Sequence, residues 1–316
     1  MLATDMRGVV PPLLTPIHSV ARVADEAVDV ASLRRLARYV LDAGCHGLFV
    51  QGSSGEFITL PPEQRRTSIS AAVEEAAGSV PVLAGIAAAS LAEAVANAEM
   101  AAECGADAAV ATTPYYFTYS QGELIQYFTR LADSIPLPLV IYNIPQRTGN
   151  PLRPDTIVAL ADHPHIIGLK DTSENLMAMT RMIAALRGRD DFALFTGTET
   201  LLAPSILLGA HGGVLGAANI APHLSVKLYN AALAGDLPRV RELQDQMEDV
   251  FRVFLTYSYG EPSIGAGLGG LKLAASLLGF GDARMCFPAA LPGDCEPMRR
   301  LIASWVDRGI ITPPSP

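Results

Sequence analysis

Residues 80–116, VPVLAGIAAASLAEAVANAEMAAECGADAAVATTPYY, hold one complete unit of the fold. VPVLAGI (80–86) is a short, continuously apolar run, the pattern of a strand covered on both faces. SLAEAVANAEMAAECGA (90–106) then carries apolar residues at helical spacing, and DAAVATTPYY (107–116) returns to the strand pattern. The same alternation extends in both directions. Upstream lie GVVPPLLT (8–15), ASLRRLARYVLDAG (31–44), HGLFVQG (46–52) and a helix over 62–78 with Pro near its start and Gly at its end. Downstream come QGELIQYFTRLADS, PLPLVIYNIP, RPDTIVALADH, HIIGLKD, ENLMAMTRMIAALRG, DFALFTG, ETLLAPSILLGA and HGGVLGA.

These segments give eight strands, each followed by a helix, within roughly the first 225 residues. An open doubly wound sheet fits the alternation as well, but eight units of this length favour a closed (β/α)8 TIM barrel. The expected domains are a barrel carrying the active site over 1–225 and a C-terminal helical extension over 226–316, built from stretches such as LPRVRELQDQMEDVFRVFL.

Composition excludes several classes. Half of the 316 residues are hydrophobic and only 17% are charged, which rules out a disordered chain. A net charge of -9 without a basic stripe argues against a nucleic-acid partner. No apolar run reaches the roughly 18 residues of a membrane span, and MLATDMRGVVPPLLTP does not read as a signal peptide. Cys45, Cys104, Cys286 and Cys295 lack CxxC spacing and read as buried free thiols, pointing to a reducing, cytoplasmic setting. His18, His46, His163, His165, His211 and His223 show no metal spacing, so no metal is expected. Gly265, Gly267, Gly269 and Gly270 follow no strand and read as helix rather than a dinucleotide loop.

In such a barrel the chemistry sits just after each strand. The residues to weigh there are Ser53, Ser54, Glu56, Thr113, Tyr115, Tyr116, Tyr142, Asn143, Arg147, Lys170, Asp171, Thr196, Gly197 and Glu199. The chain has three lysines, and Lys227 and Lys272 fall in helical segments, where a solvated or snorkelling head is expected. Lys170 instead ends the apolar run His165–Leu169. A desolvated amine there could lose its proton and attack a carbonyl, whereas the structural alternative is an ion pair with a barrel carboxylate such as Glu56. Gly52-Ser53-Ser54-Gly55-Glu56 offers hydroxyls and backbone N–H groups for a carboxylate, or equally a cap for the next helix. Tyr116 and Tyr142 offer phenols for proton relay, or packing. Arg147 could clamp a second carboxylate or lie idle in an exposed loop. Gly197-Thr198-Glu199 opens a helix and could bind an anion.

GLFVQGSSGEF with Glu63-Gln64, YNIPQRTGNPL, IIGLKDT and TPYY (113–116) together resemble the signatures of the dihydrodipicolinate synthase / N-acetylneuraminate lyase family along essentially the whole chain. The resemblance implies a homodimer or homotetramer with class I aldolase chemistry. Lys170 would form a Schiff base with pyruvate or another 2-oxo acid, and no cofactor would be needed. It further implies Tyr142 as proton shuttle, Ser53 and Ser54 with Gly52 around the keto-acid carboxylate, and Tyr116 lent by a neighbouring subunit and joined to Tyr142 through Ser53. Gly197 and Thr198 would line the pocket for the distal part of the substrate, an aldehyde. Phe57 and Asp171-Thr172 look more like the 2-keto-3-deoxy sugar acid enzymes of the family, whereas Arg147 sits where the synthases keep an arginine for aspartate semialdehyde. After TPYY the chain reads Phe117-Thr118-Tyr119, unlike those synthases. A catalytically silent 2-oxo acid sensor on the same barrel is the alternative from another class.

Overall fold

Apolar runs without alternation form strands only where both faces are covered. The computed structural model, which describes residues 6–18, 27–257, 264–286, 288–289 and 293–314, shows eight of them. The expectation that MLATDMRGVVPPLLTP is no signal peptide falls in part on residues 1–5, which lie outside the described ones. The strands are β1 (Gly8–Val9), β2 (Leu48–Val50), β3 (Val82–Gly85), β4 (Ala108–Thr112), β5 (Leu139–Asn143), β6 (Ile166–Asp171), β7 (Ala193–Thr196) and β8 (Gly212–Gly213). Each pairs in parallel with the next from β2 to β8, and β8 pairs with β1.

The seam between β1 and β2 is short of donors because Pro11 and Pro12 have no N–H. It closes through the N–H groups of His46, Phe49 and Leu13, which donate to Val9, Pro11 and Phe49 at 2.8–3.0 Å. The cylinder is therefore shut, and its inner side chains, among them Phe49, Leu83, Val110, Val140 and Phe195, form a cluster of their own. Burying each of these side chains contributes about 1.5–3 kcal/mol. Their packing plugs the lower barrel, so the interior is reached from the C-terminal ends of the strands.

Helices follow the strands, most with local start signals. Asp29 caps α1 (Val30–Asp42) by accepting from Ser32 N–H, and Ser90 caps α3 (Leu91–Glu103). Ser120 and Glu123 form a capping box on α4 (Gln121–Ser134). Pro62 opens α2 (Pro62–Ala76). A one-turn α5 (Pro145–Thr148) and α6 (Pro154–Leu160) follow β5, α7 (Leu176–Ala185) follows β6, and α8 (Leu202–Leu208) follows β7. The helix after β8, α9 (Pro222–Leu233), contains residue 225, so the eighth β/α unit runs through the expected domain boundary. Beyond it, α10 (Leu237–Leu255), α11 (Ile264–Leu277) and α12 (Glu296–Asp307) form the helical extension. Gly267, Gly269 and Gly270 lie in α11; a Cβ at Gly270 would stand 2.3 Å from the Val253 carbonyl, so this glycine lets α10 and α11 touch.

Two sequence expectations fail here. Lys272 is not solvated: its side chain is 3% exposed and forms an ion pair with the equally buried Glu56. The helical pattern around Lys272 gave its position along the chain but not the acidic partner, which comes from the β2–α2 loop. Of the cysteines, Cys45 and Cys286 are buried and burial pushes the Cys45 thiol up to about 12, but Cys104 and Cys295 are only half-buried.

Candidate active site

A slip of register places the lysine. Leu139 pairs with Ile166, yet Val140 pairs with Gly168, so β6 carries one extra residue at its start. Because side chains alternate along a strand, that residue reverses the phase of everything after it. Lys170 consequently stands opposite Tyr142 rather than Asn143 and points inward, with its Nζ 3.8 Å from the centroid of the Tyr142 ring and 5.1 Å from that of Phe49. Asp171 and Asn143 share the other face, where Asn143 Nδ2 donates to Asp171 Oδ1 at 2.7 Å and Ser173 Oγ donates to Asp171 Oδ2 at 2.8 Å. Burial raises the Asp171 carboxyl, and these hydrogen bonds offset only part of the effect.

Lys170, Tyr142, Ser53, Ser54, Arg147, Gly197 and Thr198 all line one cavity of about 480 Å3 at the C-terminal mouth of the barrel. Lys170 is 5% exposed, and among the described residues it makes no ion pair. Glu56, the alternative partner weighed above, is held by Lys272 instead. Burial pushes the Tyr142 phenol up, but the Lys170 charge and side-chain hydrogen bonds with Lys170 and Ser53 outweigh it and hold the phenol below its usual value. Thr172 acts on the phenol in the same direction, although its hydroxyl makes no hydrogen bond of good geometry.

The Gly52–Glu56 turn is tight. Gly55 N–H donates to Gly52 O at 3.0 Å, Glu56 N–H to Ser53 O at 3.1 Å, and Thr15 Oγ1 to Gly55 O at 2.9 Å. These bonds leave the N–H groups of Ser53 and Ser54 outside the turn's own pairing. Gly52 is buried and is packed against Phe49: a Cβ on it would meet that ring at 2.6 Å. Gln51 and Glu56 both hold positive φ (57° and 55°), a strained backbone for residues with side chains.

Gly197 leaves room for the neighbours of the lysine, since a Cβ there would lie 1.9 Å from Thr172 Oγ1 and 3.1 Å from Lys170 Cε. The hydroxyls of Thr172 and Thr198 are buried without a protein partner and border the cavity, so both are available to a bound molecule. Glu199 also borders it. Burial raises its carboxyl, and the Ala217 N–H, which Glu199 Oε1 accepts at 2.8 Å, together with the Lys170 charge, only partly offsets this. A buried acid of this kind makes the Gly197–Glu199 segment a poor anion site and a good hydrogen-bond partner for hydroxyls.

Two expected site residues are exposed to solvent. Arg147 is exposed on α5 at the cavity mouth. Tyr116 is 89% exposed, holds φ +87°, stacks edge-on with Phe117, and does not border the cavity of its own chain. The backbone of its loop is held by the buried Asn150, whose Nδ2 donates to the carbonyls of Pro114 and Phe117 at 2.9 and 2.7 Å while its Oδ1 accepts from Tyr119 N–H at 2.8 Å. Sequence reasoning missed this clamp, although Asn150 stands inside YNIPQRTGNPL. It also missed Phe251 and Phe254 of α10 and Leu268 of α11, which wall the cavity from the extension. Their apolar periodicity was visible, but not the surface it would cover. Among the described residues no cluster of His, Cys, Asp and Glu could hold a metal, and no helix is long and apolar enough to cross a membrane.

Comparison with known proteins places the chain in a wider group. The model of the dihydrodipicolinate synthetase family matches residues 5–279. An uncharacterized DapA-like lyase of Halobacterium salinarum is 36% identical over 97% of this chain and 95% of its own length. The structure of dihydrodipicolinate synthase from Bacteroides thetaiotaomicron superposes with a TM-score of 0.86 at 37% identity, covering 96% of this chain and 98% of that one. The dihydrodipicolinate synthase of Acinetobacter baumannii, solved in complex with pyruvate, matches with a TM-score of 0.86 at 30% identity over 96% of this chain and 99% of its own.

Proposed function

The chain belongs to the dihydrodipicolinate synthetase family and is a lyase of the class I aldolase type; from that membership and the chemistry of the cavity, we propose that Lys170 holds pyruvate or another 2-oxo acid as a Schiff base. A carbon–carbon bond to a small aldehyde is then made or broken. The observation that carries this reading is a buried amine facing a cavity with no carboxylate tied to it among the described residues.

The Lys170 amine gives up its proton and attacks the keto carbon; that proton then leaves with the carbinol oxygen as water, and the protonated imine remains. That imine withdraws electrons from the adjoining carbon, so a proton can leave there and the resulting enamine can attack an aldehyde; cleavage runs the same steps backwards. No separate cofactor is required, because the lysine supplies the electron sink. Tyr142, with its phenol held low, takes and returns the proton, and Ser53 relays it. The hydroxyls and N–H groups of Ser53 and Ser54, with Gly52 shaping the turn, receive the keto-acid carboxylate. Tyr116 is proposed to serve a second copy of the chain, as its exposure and strained backbone support. A neighbouring opening of about 300 Å3 beside Ser53, bordered by Phe57, Tyr115 and Cys286, offers room for such a phenol in a homodimer or homotetramer. A cytoplasmic setting suits pyruvate as partner.

The distal half of the cavity favours a hydroxylated partner. Glu199, Thr198 and Thr172 offer hydrogen-bonding groups, and Phe251 and Phe254 add apolar surface, as the carbon chain of a 2-keto-3-deoxy sugar acid requires. Arg147 at the mouth supports the second reading, condensation with aspartate semialdehyde. The test compares that condensation with cleavage of 2-keto-3-deoxygluconate, following pyruvate in both. The sugar-acid reading expects Glu199→Gln to raise the KM of cleavage about tenfold and Arg147→Ala to change it little. A crippling effect of Arg147→Ala on an efficient condensation would favour the synthase. Adduct formation without turnover of either substrate would leave a binding protein.

A further inference from the structure

We infer that Glu56 and Lys272 form a positioning pair that sets Ser53 against Tyr142, making the C-terminal extension a working part of the keto-acid subsite. The inference rests on the reading of Lys170 as the nucleophile.

Lys272 comes from α11 and Glu56 from the β2–α2 loop, and both side chains are 3% exposed. The two carboxylate oxygens of Glu56 are both committed to the C-terminal region: Oε1 meets Lys272 Nζ, and Oε2 accepts the Cys286 N–H at 2.7 Å. Charge-assisted bonds of this sort fix geometry more tightly than neutral ones. The backbone of the same residue is held in the left-handed region at φ +55°, a conformation that persists only where the surroundings over-determine it. Glu56 N–H donates to the Ser53 carbonyl at 3.1 Å, so a displacement of Glu56 is passed directly to Ser53. The Ser53 side chain in turn lies beside the Tyr142 phenol on the wall of the cavity, and the ring of that phenol lies against Lys170. Four contacts thus join α11 to the reacting amine.

A buried ion pair is weak evidence for stability, because an apolar or neutral replacement of like volume often folds as well. That property separates a positioning role from a structural one. The double variant Glu56→Gln/Lys272→Met keeps the volume and an acceptor for the Cys286 N–H but removes both charges. Its readouts are the pyruvate concentration giving half-maximal trapping by borohydride, the pH profile of trapping, and the melting temperature. A positioning role predicts that the variant melts near the parent, that half-saturation rises about tenfold, and that the profile moves to higher pH as Ser53 moves away from the phenol. A folded double variant with half-saturation within about twofold of the parent and an unmoved pH profile overturns the inference. If the double variant does not fold, Glu56→Gln alone is judged by the same two readouts. A parent protein that traps no pyruvate at all overturns the nucleophile reading, and this inference with it.

Discussion

Gly197→Ala tests the packing around the lysine with one methyl group. The new Cβ would lie 1.9 Å from Thr172 Oγ1 and 3.1 Å from Lys170 Cε, whereas ordinary contacts begin near 3.4 Å. The threonine hydroxyl therefore has to yield by roughly 1.5 Å, and the lysine stem by a few tenths of an ångström. Gly197 does not hold a positive φ, so the alanine adds no backbone strain and the effect reads out side-chain crowding. Overpacking of this kind costs about 1–3 kcal/mol of stability, a drop of a few degrees in Tm for a chain of this size. The rate suffers more, because a misplacement approaching 1 Å at a reacting group costs about 100-fold. Stopped trapping of the pyruvate adduct and steady-state turnover measure it. In the double variant Gly197→Ala/Thr172→Ala the hydroxyl that clashes is gone, and part of the lost rate returns. A single variant within about threefold of the parent in kcat/KM, or a double variant no better than the single, refutes the reasoning.

Protonation of two histidines at the base of the barrel predicts acid sensitivity. His46 Nδ1 accepts Val9 N–H at 3.2 Å and His211 Nδ1 accepts Leu194 N–H at 3.0 Å, roles only a neutral imidazole can fill, and burial lowers both pKa values. Below the unfolded value of about 6.5 the unfolded chain binds more protons than the folded one, so stability is full above that pH and declines as pH falls through the folded values. Melting curves between about pH 7.5 and 5.5 will show this slope, and His46→Asn/His211→Asn, which keeps acceptors that do not titrate, will flatten it; an equal slope in both proteins contradicts the assignment. Asn150→Ala removes the clamp on the Tyr116 loop and leaves buried backbone groups unpaired, at about 1–3 kcal/mol. The Tyr119 amide should then exchange its hydrogen much faster, and unchanged protection would mean that the loop is held by other contacts.

The barrel was legible because strands buried on both faces are continuously apolar and the intervening helices are not. Even the short β8 declared itself through HGGVLGA, although only Gly212 and Gly213 pair as strand. The inward aim of Lys170 is another matter. It depends on the extra residue of β6 between Ile166 and Gly168, and a bulge leaves no mark in an apolar run such as IIGL. Partners distant in sequence were equally hidden: nothing in GSSGEF points to Lys272, and nothing in TGN points to a loop 31–36 residues upstream. Glu199 was visible as a strand-end carboxylate, but its burial, which turns it from part of an anion site into a partner for hydroxyls, is a property of the packed cavity.

The central claim is that the Lys170 amine forms an imine with a 2-oxo acid. Incubation with pyruvate and borohydride, followed by peptide mass mapping, tests it most directly. The account predicts one reduced pyruvyl group per chain, carried on Lys170 and abolished by Lys170→Ala. An intact chain that gains no such mass, or that gains it on Lys227 or Lys272 instead, would contradict it.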